Sequence, residues 1–221
     1  MIALISDIHG NYEALKEVLK KIDSLGIQEV YCLGDIVGYY PQVNECCDEL
    51  RKRNIKCILG NHDWYMISNT GCPRSKSAND CLLYQKKVIT QENLDWLTTL
   101  PIYRRIGELA IVHGGWNDPL EEYLSPSNDY FDKYPNKYFA SGHTHKQVIK
   151  KFTDKVYCNP GSVGQPRDKN YMSSFATFDG TDFELYRVDY NIEEVCRLMS
   201  LAGFDEYYYK RLKTGAEHFY K

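Results

Sequence analysis

Short apolar runs that stop at glycine, aspartate, asparagine or histidine recur along this chain, and amphipathic stretches separate the first three. Ile2–Ile5 is followed by Ser6-Asp7-Ile8-His9-Gly10-Asn11. Leu15, Val18, Leu19, Ile22 and Leu25 then share one helical face, with Gly26 as a stop. Residues 29–33 predict a strand ending at Gly34-Asp35, residues 43–53 a helix, and residues 55–59 a strand ending at Gly60-Asn61-His62-Asp63. Crossovers of this length imply parallel strands buried beneath helices. From His9 to Asp35 and from Asp35 to Asn61 the spacing is 26 residues, so each polar cluster holds the same place in its βα unit. That place is the carboxyl edge of the sheet, where ligands bind in open parallel sheets.

Residues 64–100 predict a helical insertion, with a helix start at Thr90-Gln91-Glu92-Asn93 and a stop at Pro101. Leu109–Val112 reads as a strand ending in His113-Gly114-Gly115, and Tyr138–Ala140 as one ending in Ser141-Gly142-His143-Thr144-His145. The pattern then changes. Residues 148–152, 156–158, 174–178 and 183–188 are separated by turns such as Asp154-Lys155 and Asp179-Gly180, which predicts antiparallel hairpins closing a mixed sheet. Asn191-Ile192-Glu193-Glu194 opens a last amphipathic helix, with further helix expected to about His218. No linker or repeat beyond the βα units interrupts the chain, so one α/β domain over residues 1–221 is expected.

Charge narrows the partners. The chain carries 27 Lys plus Arg against 30 Asp plus Glu, a net −3, so it lacks the basic surface that holds a phosphate backbone, and extended nucleic acid is not an expected partner. No apolar stretch approaches the ~18 residues of a bilayer span, so no membrane partner is expected. Met1 runs directly into Ile2–Ile5, unlike the basic start and longer apolar run of a secretory leader. Eight cysteines without a Cys-x-x-Cys pair agree with a reduced, cytoplasmic protein.

The histidines carry the chemistry. His9, His113, His143 and His145, with Asp7, Asp35 and Asn61, all lie at predicted strand ends. This set has two carboxylates, one amide oxygen and four imidazoles, with no thiolate. It is too nitrogen-rich for a Mg²⁺ or Ca²⁺ cage and suits Mn²⁺, Fe²⁺, Zn²⁺, Co²⁺ or Ni²⁺. Seven donors exceed what one open catalytic metal takes and match two metals sharing a carboxylate.

The ordered set Asp7-Ile8-His9, Gly34-Asp35, Gly60-Asn61-His62-Asp63, His113-Gly114 and Gly142-His143-Thr144-His145 resembles the calcineurin-like metallophosphoesterase superfamily. The segment Asn159-Pro160-Gly161-Ser162-Val163-Gly164-Gln165-Pro166-Arg167 is similar to a later signature of its small bacterial and archaeal phosphodiesterase-like branch. The resemblance implies a four-layer α/β/β/α sandwich with two mixed sheets. It implies one metal on Asp7, His9, Asp35 and His145 and a second on Asp35, Asn61, His113 and His143, bridged by Asp35. It further implies in-line attack of a metal-bridging hydroxide on phosphorus, with His62 protonating or hydrogen-bonding the departing oxygen. Some phosphodiesterase relatives carry cysteine at the His62 position, so histidine here leaves monoester hydrolysis open beside diester hydrolysis.

Gly34-Asp35 continues as Ile36-Val37-Gly38-Tyr39-Tyr40, without the phosphate-gripping arginine of phosphoprotein phosphatases and symmetrical dinucleoside tetraphosphatases. Arg167 is the expected replacement clamp, because a guanidinium matches phosphate bidentately. Asn61, His62 and Tyr39 are the other expected substrate contacts. Asp63 reads either as an orienter of the site or as a helix cap, and Asn159 and Gly161 as turn formers or part of a phosphate cradle. The Tyr-rich end, residues 204–221, reads as a cover for a sheet edge or a contact between copies of the chain. The expected function is hydrolysis of small phosphodiesters or phosphomonoesters, nucleotides among them. A non-catalytic interaction scaffold on the same fold and, more distantly, a nuclease are the alternatives.

Overall fold

The computed structural model describes residues 1–216. The elements run β1 (Ile2–Ile5), α1 (Tyr12–Ser24), β2 (Val30–Cys32), α2 (Val43–Lys52), β3 (Lys56–Cys57) and α3 (Asn61–Ile67). They continue through α4 (Lys76–Val88), α5 (Gln91–Thr98), β4 (Tyr103–Ile106), β5 (Leu109–Val112), α6 (Asn128–Phe131), β6 (Tyr138–Ala140) and β7 (Val148–Lys151). The last are β8 (Val156–Asn159), β9 (Ser173–Phe178), β10 (Phe183–Val188) and α7 (Ile192–Leu201), followed by two short 3₁₀ turns.

Two five-stranded sheets form, in the orders β10-β9-β1-β2-β3 and β4-β5-β6-β8-β7. In the first, β1, β2 and β3 are parallel and β9 runs antiparallel to β1; in the second, β5, β6 and β8 are parallel and β7 is antiparallel to β8. The period of two in each strand decides what each sheet face meets. Ile2 and Leu4 point into a core shared with Leu109, Ile111, Tyr138 and Ala140 of the other sheet, whereas Ala3 and Ile5 pack under α1 with Leu15, Val18 and Ile22. Ala110, Phe139 and Tyr157 face outward beneath Phe131 of α6. The result is the expected four-layer sandwich of two mixed sheets flanked by helices, with an outer layer on the second sheet that is mostly loop. Each fully buried Leu or Ile side chain contributes about 1.5–3 kcal/mol, so the shared core supplies much of the force that clamps the sheets together.

Several expectations change in detail. The two C-terminal hairpins close different sheets: β7–β8 joins β6, whereas β9–β10 crosses back to β1. The helical stretch 64–100 resolves into separate helices: Gly71 and Pro73 lie in the break between α3 and α4, and Thr90 caps the start of α5 as its sequence predicts. β4 was not expected. Its arginines and alternating exposure mark an edge strand beside β5, and that polar face hides the strand pattern. After α7 the described residues form 3₁₀ turns rather than further helix, and His218 lies outside the described residues. The described part of the Tyr-rich segment, residues 204–216, packs on α4 through Phe204, whose ring is 5.5 Å from that of Tyr84, and Tyr208, whose Oη donates to Asp80 at 2.8 Å. All eight cysteines are unpaired and buried. No helix among the described residues is long and apolar enough to cross a membrane.

Candidate metal centre

The carboxyl ends of β1, β2, β5 and β6 and the start of α3 meet at the junction of the two sheets. Two groups of donors form there, Asp7, His9, Asp35 and His145 in one and Asp35, His113 and His143 in the other, with the ligand atoms in each group within 4.8 Å of one another. Asn61, the first residue of α3, puts Oδ1 3.1 Å from His113 Nε2 and so joins the second group. All seven expected ligands therefore come together, and each is buried.

Asp35 lies between the groups. Its Oδ2 is 3.7 Å from His9 Nε2 and 3.4 Å from His113 Nε2, while Oδ1 accepts the His62 backbone N–H at 2.8 Å. One carboxylate oxygen thus faces both clusters, and the other is pinned by the helix start.

The imidazoles are aimed by backbone carbonyls. Nδ1 of His9 donates to Val37 O at 2.9 Å, that of His113 to Leu33 O at 2.8 Å, and that of His145 to Gln165 O at 2.6 Å. A carbonyl can only accept, so all three rings carry Nδ1–H; in the neutral imidazole this leaves Nε2 as a lone pair, the form a metal takes, as in His9 and His145. His9 Nε2 and His145 Nε2 then face each other at 3.0 Å, lone pair against lone pair, and Nε2 of buried His143 has no hydrogen-bond partner. Such an arrangement fits a divalent ion in each cluster: cations satisfy the facing nitrogens and the orphaned one, and offset the two carboxylates.

The electrostatics agree. Burial holds the His9 and His143 pKa values well below the ordinary histidine value, and burial with the Arg167 charge lowers His145. Burial opposes a charge on His113 too, but contact with Asp35 overrides it and pushes its pKa up to about 10, so a divalent ion competes with that proton for Nε2. Burial raises the Asp7 and Asp35 carboxyls, yet neighbouring imidazoles pull both below the carboxylate range, so both remain anionic donors.

This convergence is bought with backbone strain. Asp7, His9, Asp35, His143 and His145 all have positive φ, between 54° and 64°. Non-glycine residues there cost of order 1–3 kcal/mol each and persist only where the surroundings over-determine them. Here the hydrogen bonds that do so are visible. Asp63, the residue of two readings, fills both: Oδ2 accepts Gly60 N at 2.9 Å across the start of α3, and Oδ1 accepts Ile36 N and Val37 N at 2.9 and 3.0 Å behind Asp35. The 159–167 segment is a frame for the ligands. Val163 N, Gly164 N and Ser162 Oγ bind the carbonyls of Ser6 and Asp7, and Asn159 Nδ2 donates to Gly142 O at 2.7 Å and Thr144 Oγ1 at 3.0 Å.

His62 sits beside the first cluster, its ring 4.9 Å from His9 and 5.2 Å from Tyr39, with Nδ1 buried and unpartnered. Burial pushes its pKa down to about 4. Arg167 is half-buried, donates to Gln165 Oε1 at 2.7 Å and Tyr39 Oη at 3.1 Å, and lines the same cavity as His62, Tyr39 and Asn61. Tyr40 points away from the cavity, its hydroxyl accepting from Gln165 Nε2 at 3.0 Å. Sequence reasoning missed Arg74 and Tyr123, which also line this cavity, and Gln85, whose Oε1 accepts Gly38 N at 2.7 Å. Cys72-Pro73-Arg74, a helix-breaking run within the supposed helical stretch, was the available signal for a loop there.

The calcineurin-like phosphoesterase superfamily domain matches residues 1–182. An uncharacterized protein of Methanocaldococcus jannaschii is 37% identical, with 97% of this chain and 98% of that protein covered. The crystal structure of a metallophosphoesterase from Sphaerobacter thermophilus, 30% identical, superposes with a TM-score of 0.84 over 97% of this chain and 98% of that one. A symmetrical bis(5′-nucleosyl)-tetraphosphatase of Paracidovorax citrulli is 33% identical over 50% of this chain and 42% of that enzyme. Two donor clusters sharing a carboxylate at the sheet edges, in a chain matched along most of its length, make this protein a metal-dependent phosphoesterase of the calcineurin-like superfamily.

Proposed function

We propose that the protein hydrolyses small phosphodiesters or phosphomonoesters at a dinuclear centre held by Asp7, His9, Asp35 and His145 on one side and Asp35, Asn61, His113 and His143 on the other. The observation that carries this reading is Asp35 Oδ2, which faces an imidazole of each cluster. Divalent ions bound there supply Lewis acidity, which acidifies water towards a pKa of about 7 and stabilises negative charge on phosphoryl oxygens.

The chain's own groups do the rest. With its pKa near 4, His62 is a neutral imidazole at neutral pH, so its role is to donate an N–H hydrogen bond to the departing oxygen rather than to carry a charge. Its place in the cavity lining supports that role. Arg167, held in place by Gln165 and Tyr39, has guanidinium donors left to grip a phosphoryl oxygen, and Tyr39 lines the cavity beside it. The partial likeness to a symmetrical bis(5′-nucleosyl)-tetraphosphatase supports nucleotides within the substrate class.

Purified protein, stripped with chelator and reloaded with Mn²⁺ or another transition metal, is expected to hydrolyse bis-p-nitrophenyl phosphate or p-nitrophenyl phosphate. His62→Ala should lower kcat by about 10²–10³-fold, the usual loss for one hydrogen-bond donor to developing negative charge, with KM changed far less. Wild-type protein with both metals bound and no turnover of either ester would favour the interaction scaffold.

A further inference from the structure

The cavity directly at the donor clusters has a volume of about 20 Å³, space for roughly one water molecule. A phosphoester with any organic body cannot be contained there. A groove of about 970 Å³ opens beside it, within the range of small-molecule sites, and Arg74, Tyr123 and Arg167 line both spaces. These three residues form the rim over which a substrate would pass from groove to metals.

The groove has its own chemistry. Among the described residues its lining contains Arg74, Lys146, Lys150 and Arg167, on a chain whose net charge is −3. The cations come from three separate segments that folding brings together. Arg74 stands in the loop between α3 and α4, Lys146 and Lys150 come from β7 and the turn before it, and Arg167 ends the 159–167 segment. Val148 and Lys150, two apart in β7, show the same face to the groove, and Lys150 is paired in register with Tyr157 of β8, which lies on the groove floor. Glu121 pairs with Arg74 and fixes it at the rim, with its guanidinium 5.1 Å from the centre of the Tyr123 ring. Tyr123 is 50% exposed, and its ring stands 4.2 Å from that of the candidate ligand His143. An aromatic surface, apolar walls and converging cations therefore adjoin the reacting position.

We infer that this groove binds the non-reacting half of the substrate, and that this half is an aromatic or apolar body bearing at least one further negative charge; a nucleoside carrying a second phosphate is the simplest molecule of that class. The inference rests on the phosphoesterase reading for the placement of the reacting phosphate. The groove supplies what a phosphate at the metals alone would not use: a ring platform and a field of positive charge several ångströms away.

The test compares adenosine 3′,5′-bisphosphate with adenosine 5′-monophosphate as ligands of the Mn²⁺-loaded His62→Ala protein, in which turnover is suppressed, by isothermal titration calorimetry. The bisphosphate is expected to bind at least about tenfold more tightly at low salt, with the advantage shrinking as ionic strength rises. Adding Lys146→Ala and Lys150→Ala should abolish the preference and leave the monophosphate affinity the less affected of the two. Equal affinities for the two ligands, or a preference that survives both lysine substitutions, would overturn the groove assignment. Hydrolysis of bis-p-nitrophenyl phosphate by wild type is scored separately. Turnover without a bisphosphate preference leaves the hydrolase and removes the groove, and a lysine-dependent preference without turnover does the reverse.

Discussion

Gly38 lies where the loop after Asp35 presses on His62 and on the candidate ligand His9, and replacing it with alanine tests how that pressure sets the site. Its φ is +137°, and a Cβ there would lie 2.4 Å from His9 Nδ1 and 3.1 Å from His62 Nδ1. The conformational cost for an L side chain is about 1–3 kcal/mol. Relieving a 2.4 Å contact requires the His9 ring or the loop to move, which breaks the bond from His9 Nδ1 to Val37 O and leaves buried polar atoms unpaired at a further cost of about 1–3 kcal/mol. The sum, about 2–6 kcal/mol, is a large part of a typical domain's stability of about 5–15 kcal/mol. Gly26→Ala is the control, because φ there is +71° with nothing within 4 Å of the added methyl, so it meets backbone strain alone. Urea unfolding in chelator, followed by tryptophan fluorescence, should show Gly38→Ala well below Gly26→Ala in midpoint. Metal titration should show first-cluster affinity reduced about 10–100-fold in Gly38→Ala only, the usual penalty for misaiming a ligand. Equal midpoints and unaltered metal affinity would refute the claim that this loop aims His9.

Other consequences are as definite. In metal-free protein the His62 pKa of about 4 lies below the ordinary 6.5, so the unfolded state takes up its proton first as pH falls, and stability held above pH 6.5 is lost on the way down to 4, by about 3 kcal/mol from this group. Asp63, pushed up to about 7 by burial and by Asp35, acts in the opposite sense over much of that interval, so the informative comparison is wild type against His62→Gln. Urea midpoints at pH 7, 6 and 5 should fall less steeply in the variant, and parallel slopes would contradict the neutral, buried imidazole. Asn159→Ala removes the bonds to Gly142 O and Thr144 Oγ1, and should cost about 1–3 kcal/mol and lower metal occupancy at both clusters, because His143 and His145 share that loop. A rise in KM alone would instead make the segment a phosphate cradle. Burial raises the Cys46, Cys47 and Cys57 thiols well above their ordinary pKa, so native protein should resist a thiol reagent at these positions and label fully only when denatured; rapid native labelling there would show that the helical layer opens.

What could be read from the chain follows from what periodicity encodes. Asp7, Asp35 and His113 stand at the ends of short apolar runs, and a buried parallel strand can end in polar residues only at its edge, so their convergence was legible. The distribution of ten strands between two sheets was not, because β9 and β10 carry the same alternation whichever sheet they join. Nor was the left-handed backbone at five donors: aspartate and histidine tolerate positive φ better than most side chains, but it is the neighbours that impose it. The 159–167 segment was recognisable as a unit, but its work, bracing the carbonyls of Ser6 and Asp7 and the loop of His143, depends on contacts across more than 100 residues for the first of these. Arg74 was hidden because the stretch around it was read as helix, and its place at the rim depends on Glu121, 47 residues away.

The shared carboxylate is the centre of the account, and metal stoichiometry tests it most directly. Wild-type protein, stripped with chelator, reloaded and freed of excess metal, should retain two divalent ions per chain by elemental analysis, matching its two donor clusters. Asp35→Asn keeps the side-chain shape and the acceptor for His62 N–H but removes the charge both clusters share, and should retain fewer than about one ion. Wild type that holds a single ion, or an Asp35→Asn protein that still holds two, would contradict a dinuclear centre bridged at Asp35.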